Sequence, residues 1–123
     1  MQIVSAILVL LVAVEHAYFL VLEMFLWTQP RTRKIFGTTA EDATTTKTLA
    51  ANQGLYNGFL AVGLVYGVIA SSPEVAFQFK VFFLLCVIVA GVYGGMTVSS
   101  RITLVQALPA LIALVVTILF GVV

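Results

Sequence analysis

The chain has 123 residues, of which 62% are apolar and 9% are charged, and its mean hydropathy is +1.16. Soluble domains are about 45–50% apolar and about 25% charged, because polar residues must cover their surface. The composition therefore excludes a soluble enzyme and a secreted disulfide scaffold, and it predicts an integral membrane protein surrounded by a lipid bilayer. The net charge of +1 is too small for nucleic-acid binding.

Four apolar runs are long enough for the roughly 20 helical residues that cross a bilayer. They predict a single all-α domain over residues 1–123, a four-transmembrane-helix bundle with spans at about 2–27, 49–70, 75–98 and 102–122. Pro30 disfavours helix at the residue before it. Pro73, after two serines, is suited to the first position of the third helix. We expect the short turns to make helices 2, 3 and 4 antiparallel neighbours.

Helix 2 begins before its apolar part. The run Thr38-Thr39-Ala40-Glu41 is a capping-box pattern, and its acidic side chains suit a helix N-terminus. The polar turns that follow, with threonines at 44–46 and Lys47, lead into the second span. We therefore expect helix 2 to extend into the cytoplasm.

Basic residues are unevenly distributed between the loops. One side of the predicted bundle has only Lys80 near its boundary, and the other carries Arg31, Arg33, Lys34, Lys47 and Arg101. Lys and Arg accumulate in cytoplasmic loops. The first and third loops are therefore predicted to be cytoplasmic, and both termini are predicted to lie outside.

Three ionisable residues lie within the first span: Glu15, His16 and Glu23. At about 100° per residue they fall within one arc of about 100°, and Glu23 is about 12 Å further along the axis than Glu15. An ionisable group in hydrocarbon costs about 2.5–3.5 kcal/mol and usually faces the protein interior. We therefore expect this face to be covered by protein.

Two interpretations of this face stay open. It is either a proton-titrating or ligand-binding site, since intramembrane charges commonly mark functional sites and histidine titrates near neutral pH, or a structural polar network. No metal site is predicted, because adjacent Glu15 and His16 point about 100° apart and cannot by themselves close on one ion.

Helix 2 carries the second concentration of polar residues. Gln53 and Asn57 lie on one side with Gly54 and Gly58, and Asn52 and Tyr56 lie roughly opposite. Glycines four residues apart allow close helix packing, so helix 2 is predicted to pack on both sides. The polar residues are ligand-binding candidates; the alternative is interhelical hydrogen bonding, worth about 0.6 kcal/mol each.

Two stretches resemble a family of small bacterial membrane proteins catalogued as domain of unknown function 1304. They are the run from Glu15 to Trp27 and the run from Leu49 to Ala61. The resemblance spans nearly the whole chain and implies a bacterial cytoplasmic-membrane location, but it implies no reaction.

From Arg31 onward the chain also distantly resembles the membrane-associated proteins in eicosanoid and glutathione metabolism. That resemblance implies four-helix subunits, a homotrimer, and glutathione held between subunits on the cytoplasmic side. Lys47 stands where that family has an arginine, and Gly54 or Leu55 where it has a glutamate. The resemblance is carried by Phe36, Glu41-Asp42, Lys47, Asn52, Phe59-Leu60, Gly63, Val65-Tyr66, Tyr93, Arg101 and Leu108-Pro109.

Three functions are compatible with these patterns. In the first, an anionic or amphipathic ligand such as glutathione binds between helices or subunits near the cytoplasmic side, through Lys47, Tyr93 and Arg101 together with Asn52. In the second, the chain is a carrier in which Glu15 or Glu23 exchanges a proton for a small molecule, a cationic one included. In the third, the chain is a structural or accessory membrane subunit whose polar groups only fix helix register.

Overall fold

The computed structural model describes residues 1–120, whose regular elements are all helices. The predicted end of the fourth span near Val122 lies outside these residues. The helices are α1 (Gln2–Met24), α2 (Pro30–Phe36), α3 (Ala40–Thr45), α4 (Lys47–Ile69), α5 (Pro73–Thr97) and α6 (Ser100–Phe120).

Three helices, α1, α5 and α6, are long and apolar enough to cross a membrane. Helix α4 has 23 residues, as many as α1. The amides of Asn52, Gln53 and Asn57 in its first half lower its hydropathy, and it is not among the three. Three of the four predicted spans are therefore helices suited to a bilayer, and the crossing of α4 stays a prediction.

The first loop contains a short helix that the sequence patterns did not predict. Helix α1 ends at Met24 and not near Trp27, and Pro30 is the first residue of α2. At the other end Gly37 adopts φ +67°, and its N–H and that of Thr38 both donate to the carbonyl of Arg33. Pro at the first helical position and a left-handed Gly after the last one together delimit α2.

The start of helix 2 was predicted correctly as a cap but wrongly as part of one continuous helix. Thr39, one residue later than expected, caps α3 by accepting a bond from the Asp42 N–H. The hydroxyls of Thr44, Thr45 and Thr46 then donate to carbonyls four residues earlier, at 2.9, 3.1 and 2.7 Å. Such back-bonding bends and weakens helices, and α3 and α4 are separate helices.

The other two turns lie where the sequence predicted them, although the last helix begins at Ser100 and not near Ile102. Ser72 caps α5 by accepting a bond from the Val75 N–H, with Pro73 as the first helical residue. Ser99 caps α6 in the same way through the N–H of Arg101. The polar residues between the apolar runs therefore set where α5 and α6 begin.

The described residues form two compact units. The first comprises Met1–Val14 with the described part of Leu60–Val123, and the second is Glu15–Phe59. The first has an aliphatic core that includes Val9, Leu64 and Leu84. A buried hydrogen bond of 2.8 Å between the hydroxyls of Ser5 and Thr117 joins α1 to α6 within that unit.

Helix α6 contains a π-helical turn over Thr103–Ala107, where the N–H of Leu108 donates to the carbonyl of Thr103. Pro109 lies two residues after the end of this turn. In a regular α-helix its ring would collide with the carbonyl four residues earlier. The π turn, which changes the local hydrogen-bond spacing, accommodates this proline. The hydroxyl of Thr103 donates to the carbonyl of Gly91, which brings α5 and α6 together.

Candidate functional site

Within the unit Glu15–Phe59, the second half of α1 packs against the first half of α4. This half of α1 is the one predicted to lie toward the cytoplasm. A Cβ added at Gly54 would lie 2.7 Å from Met24 Cγ, 3.0 Å from Glu23 Cβ and 3.2 Å from the carbonyl oxygen of Leu20. Only glycine permits this approach of the two helices. The Gly54/Gly58 pair therefore packs on α1, as its spacing predicted.

The centre of this contact is a hydrogen bond between a carboxylate and an amide. Asn57 Nδ2 donates to Glu23 Oε1 at 2.6 Å, and the two side chains are only 7% and 6% exposed. The amide supplies a donor but no charge. A buried Glu23 is thus oriented by α4 without being neutralised by Asn57.

The other two ionisable residues of α1, Glu15 and His16, both lie about two turns before Glu23. His16 is fully buried, and its ring packs edge-on against Phe19 with centroids 5.5 Å apart. Glu15 is half-buried, and its Oε2 is a buried oxygen with no hydrogen-bond partner among residues 1–120. Burial of an acceptor without a hydrogen-bond partner costs free energy. This oxygen is therefore suited to accept a proton, or a hydrogen bond from a ligand.

The remaining polar residues of α4 do not join Glu23. Asn52 and Gln53 are exposed, and so is Tyr56, whose ring lies 6.0 Å from that of Phe59. Gln53 was predicted to share the face of Asn57, but its side chain is exposed whereas that of Asn57 is buried. Of the four candidates on α4, the structure thus brings only Asn57 to the α1 carboxylates.

The candidate anion-binding residues are all exposed. Lys47 lies at the start of α4 in the second unit, and Tyr93 and Arg101 lie near the α5–α6 turn in the first unit. The hydrogen bonds of Tyr93 and Arg101 involve their own backbones: Thr97 donates to the carbonyl of Tyr93, and the Arg101 N–H donates to Ser99. Their side chains are therefore open to a ligand from outside.

Sequence reasoning missed two polar features. Trp27 Nε1 donates to Thr46 Oγ1 at 3.2 Å, and its ring lies 5.0 Å from that of Phe36, so the loop after α1 is fixed by side-chain contacts. Lys80, used only to assign topology, is 8% exposed, and its stem lies where a side chain on Gly67 would be. Gly67, the small residue next to the Lys80 side chain, was the signal in the sequence for the burial of Lys80.

Comparison with known proteins agrees with the resemblance of the two polar stretches. Residues 10–118 match the model of the family described as "Protein of unknown function (DUF1304)". The chain is 34% identical over 117 residues to "Uncharacterized protein YpaA" of Lactococcus lactis subsp. lactis (strain IL1403). The matched region covers 94% of this chain and 97% of that protein. No solved structure matches. The distant resemblance to glutathione-binding membrane proteins stays a prediction, and the chain belongs to the DUF1304 family.

Proposed function

We propose that the chain is an integral membrane protein that binds a small cationic molecule at a polar site between α1 and α4, in exchange for a proton held by Glu15 or Glu23. The observation that carries the proposal is the buried Glu23 carboxylate, which is oriented by Asn57 at 2.6 Å and receives no charge from it. Glu15, with its unpartnered buried oxygen, is the second acceptor.

Exchange follows from the cost of a bare carboxylate in an apolar surrounding. The charge on such a group is unfavourable unless it is paired. A proton neutralises the carboxylate by forming an O–H bond, and a cationic ligand neutralises it by ion pairing once that proton has left. The two states exclude each other at one oxygen pair, so binding of the cation releases the proton.

The charge of the buried groups favours a cation at this site over an anion. An anionic ligand next to Glu15 and Glu23 would meet like charges, which raises its energy in a medium of low dielectric constant. Apolar or aromatic parts of the ligand would instead be accepted by the side chains beside Glu15, such as Phe19.

Proteoliposomes containing the full chain test this proposal. With an acidic interior reported by a pH-sensitive dye, adding tetramethylammonium outside, a permanent cation that does not readily cross a bare bilayer, is expected to drive proton efflux that empty vesicles do not show. Glu23→Gln is expected to abolish the effect and Glu15→Gln to reduce it. Glu74→Gln, which alters an exposed carboxylate at the start of α5, is the matched control and is expected to behave like the unmodified chain.

Equal efflux in Glu23→Gln and the unmodified chain would refute the proton exchange. A loss of stability in the glutamate variants with no efflux from any protein would favour the third function, a structural or accessory subunit.

We further propose that α4 crosses the membrane with α1, α5 and α6 as a four-helix bundle, with loops one and three in the cytoplasm and the termini outside. The length of α4 and the uneven distribution of basic residues support this arrangement. Asn52, Gln53 and Tyr56 would then face acyl chains unless another copy covered them, which supports an oligomer over a monomer. Among oligomers we propose the homotrimer that the distant resemblance implies.

The second candidate function is binding of an anionic ligand such as glutathione by Lys47, Tyr93 and Arg101. The exposure of all three side chains supports it. The same proteoliposomes distinguish the two proposals. Glutathione used as the probe would bind without driving proton efflux, and Glu23→Gln would not change its binding.

A further inference from the structure

The segment after α1 forms an ordered, basic and partly apolar surface. It contains neither the α1 carboxylates nor the candidate anion-binding residues Lys47, Tyr93 and Arg101. Over residues 24–40 the sequence has three cations, Arg31, Arg33 and Lys34, and no acidic residue. The segment begins directly after Met24, the last residue of a helix suited to a membrane. It therefore lies where a membrane-inserted α1 would meet the lipid headgroups.

Helix α2 presents a defined outer face. Arg31, Lys34 and Ile35 are spaced i, i+3 and i+4, which places them on one side of a helix. All three are exposed, Ile35 by 47%, whereas Thr32 is only 2% exposed. We call this outer face, formed by Arg31, Lys34 and Ile35, the α2 basic face.

The structure holds the α2 basic face in place from both ends. Pro30 begins the helix, and the left-handed Gly37 ends it. The ring of Phe36 packs 5.0 Å from that of Trp27, and Trp27 is in turn hydrogen-bonded to Thr46. These contacts order the segment before any ligand binds. Little backbone conformational entropy is therefore lost when Arg31 and Lys34 bind a ligand.

Apolar side chains next to the basic face fit a bilayer surface better than water. Phe25 is 71% exposed and Leu26 39%, and both lie between α1 and α2. Apolar side chains beside Lys and Arg are typical of segments that lie in the interface between headgroups and acyl chains. The combination of cations and apolar anchors matches an anionic phospholipid, which offers a phosphate and acyl chains together.

We infer that the α2 basic face binds the headgroups of anionic phospholipids, with Arg31 and Lys34 contacting phosphate and Ile35 and Phe25 contacting the outer acyl region. The inference rests on the membrane insertion proposed above but not on the α1 carboxylates. Each basic residue near an anionic surface contributes roughly 1 kcal/mol, or about fivefold in association.

Trp27 provides the readout, because it is the only tryptophan of the chain and contacts α2. The full chain in detergent micelles is titrated with phosphatidylglycerol or phosphatidylcholine that carries brominated acyl chains, which quench tryptophan fluorescence. With two cations contributing about fivefold each, the unmodified chain is expected to prefer phosphatidylglycerol about 25-fold. Each single substitution is expected to lower that preference about fivefold, and Arg31→Gln/Lys34→Gln is expected to remove most of it.

The control Arg33→Gln removes one charge from the same helix but not from the α2 basic face, because Arg33 is half-buried and its Nε donates to the carbonyl of Thr28, and it is expected to keep the preference that each single substitution lowers. Equal quenching by the two lipids in the unmodified chain would overturn the inference, and so would an equal loss in the control variant. Relief of quenching by inorganic phosphate as effective as by unlabelled phosphatidylglycerol would also overturn it, because the face would then recognise free phosphate. Glu23→Gln is expected to leave the lipid preference unchanged, so this test fails independently of the proton exchange.

Discussion

Gly54→Ala is expected to destabilise the chain by about 1–3 kcal/mol, the range of an overpacked contact. The new Cβ would meet Glu23 Cβ at 3.0 Å and the backbone carbonyl of Leu20 at 3.2 Å, besides Met24. A backbone carbonyl cannot turn aside as a side chain can, so α1 and α4 must separate. Unfolding in mixed micelles with increasing denaturing detergent, followed by circular dichroism, measures the change.

Gly58→Ala is the matched control, since it makes the same chemical change one turn later on α4. Its new Cβ would meet only the side chain of Leu20, with Cδ1 at 2.6 Å, and the end of that flexible side chain can rotate away. We expect less than half the effect of Gly54→Ala. Equal losses for the two variants would contradict the packing that brings Asn57 to Glu23.

Asn57→Leu is expected to cost about 1.5–3 kcal/mol, because it leaves a buried carboxylate without the donor that now lies at 2.6 Å. Adding Glu23→Leu to the same chain is expected to recover most of this loss, because no polar group is then left unpaired. The detergent-unfolding measurement on Asn57→Leu, Glu23→Leu and the double variant yields the coupling energy of the pair.

Asn52→Leu is the control for the amide substitution. Asn52 is exposed on the same helix of a single chain, so in micelles dilute enough to hold monomers the exchange is expected to change the free energy of unfolding by less than about 0.5 kcal/mol. If Asn57→Leu proved as mild as Asn52→Leu, or if the double variant were less stable than Asn57→Leu, the hydrogen bond would not stabilise the α1–α4 contact.

Local chemistry explains which parts of the fold could be predicted. The apolar runs predict α1, α5 and α6, and the serines before Pro73 and Arg101 predict where two helices begin. Single residues with strong backbone preferences determine these features. The break at Thr46 was missed because it depends on three hydroxyl bonds acting together, each of which is weak by itself.

The candidate site was predictable on α1 but only in part on α4. The arc that contains His16 and Glu23 is set by helix geometry alone, and both side chains are buried. On α4 the periodicity placed Gln53 and Asn57 on one face, but only Asn57 is buried. Its burial depends on α1, which approaches α4 closely at Gly54, and a pattern on one helix does not contain that partner.

Binding calorimetry in buffers of different ionisation enthalpy tests most directly whether the α1 carboxylates exchange a proton for a cation. The full chain is titrated with tetraphenylphosphonium at one pH in each buffer, because released protons add the enthalpy of the buffer to the observed heat. Proton exchange at the α1 carboxylates predicts a heat that varies with the buffer for the unmodified chain and does not vary with it for Glu23→Gln. A binding heat that is the same in every buffer would contradict it.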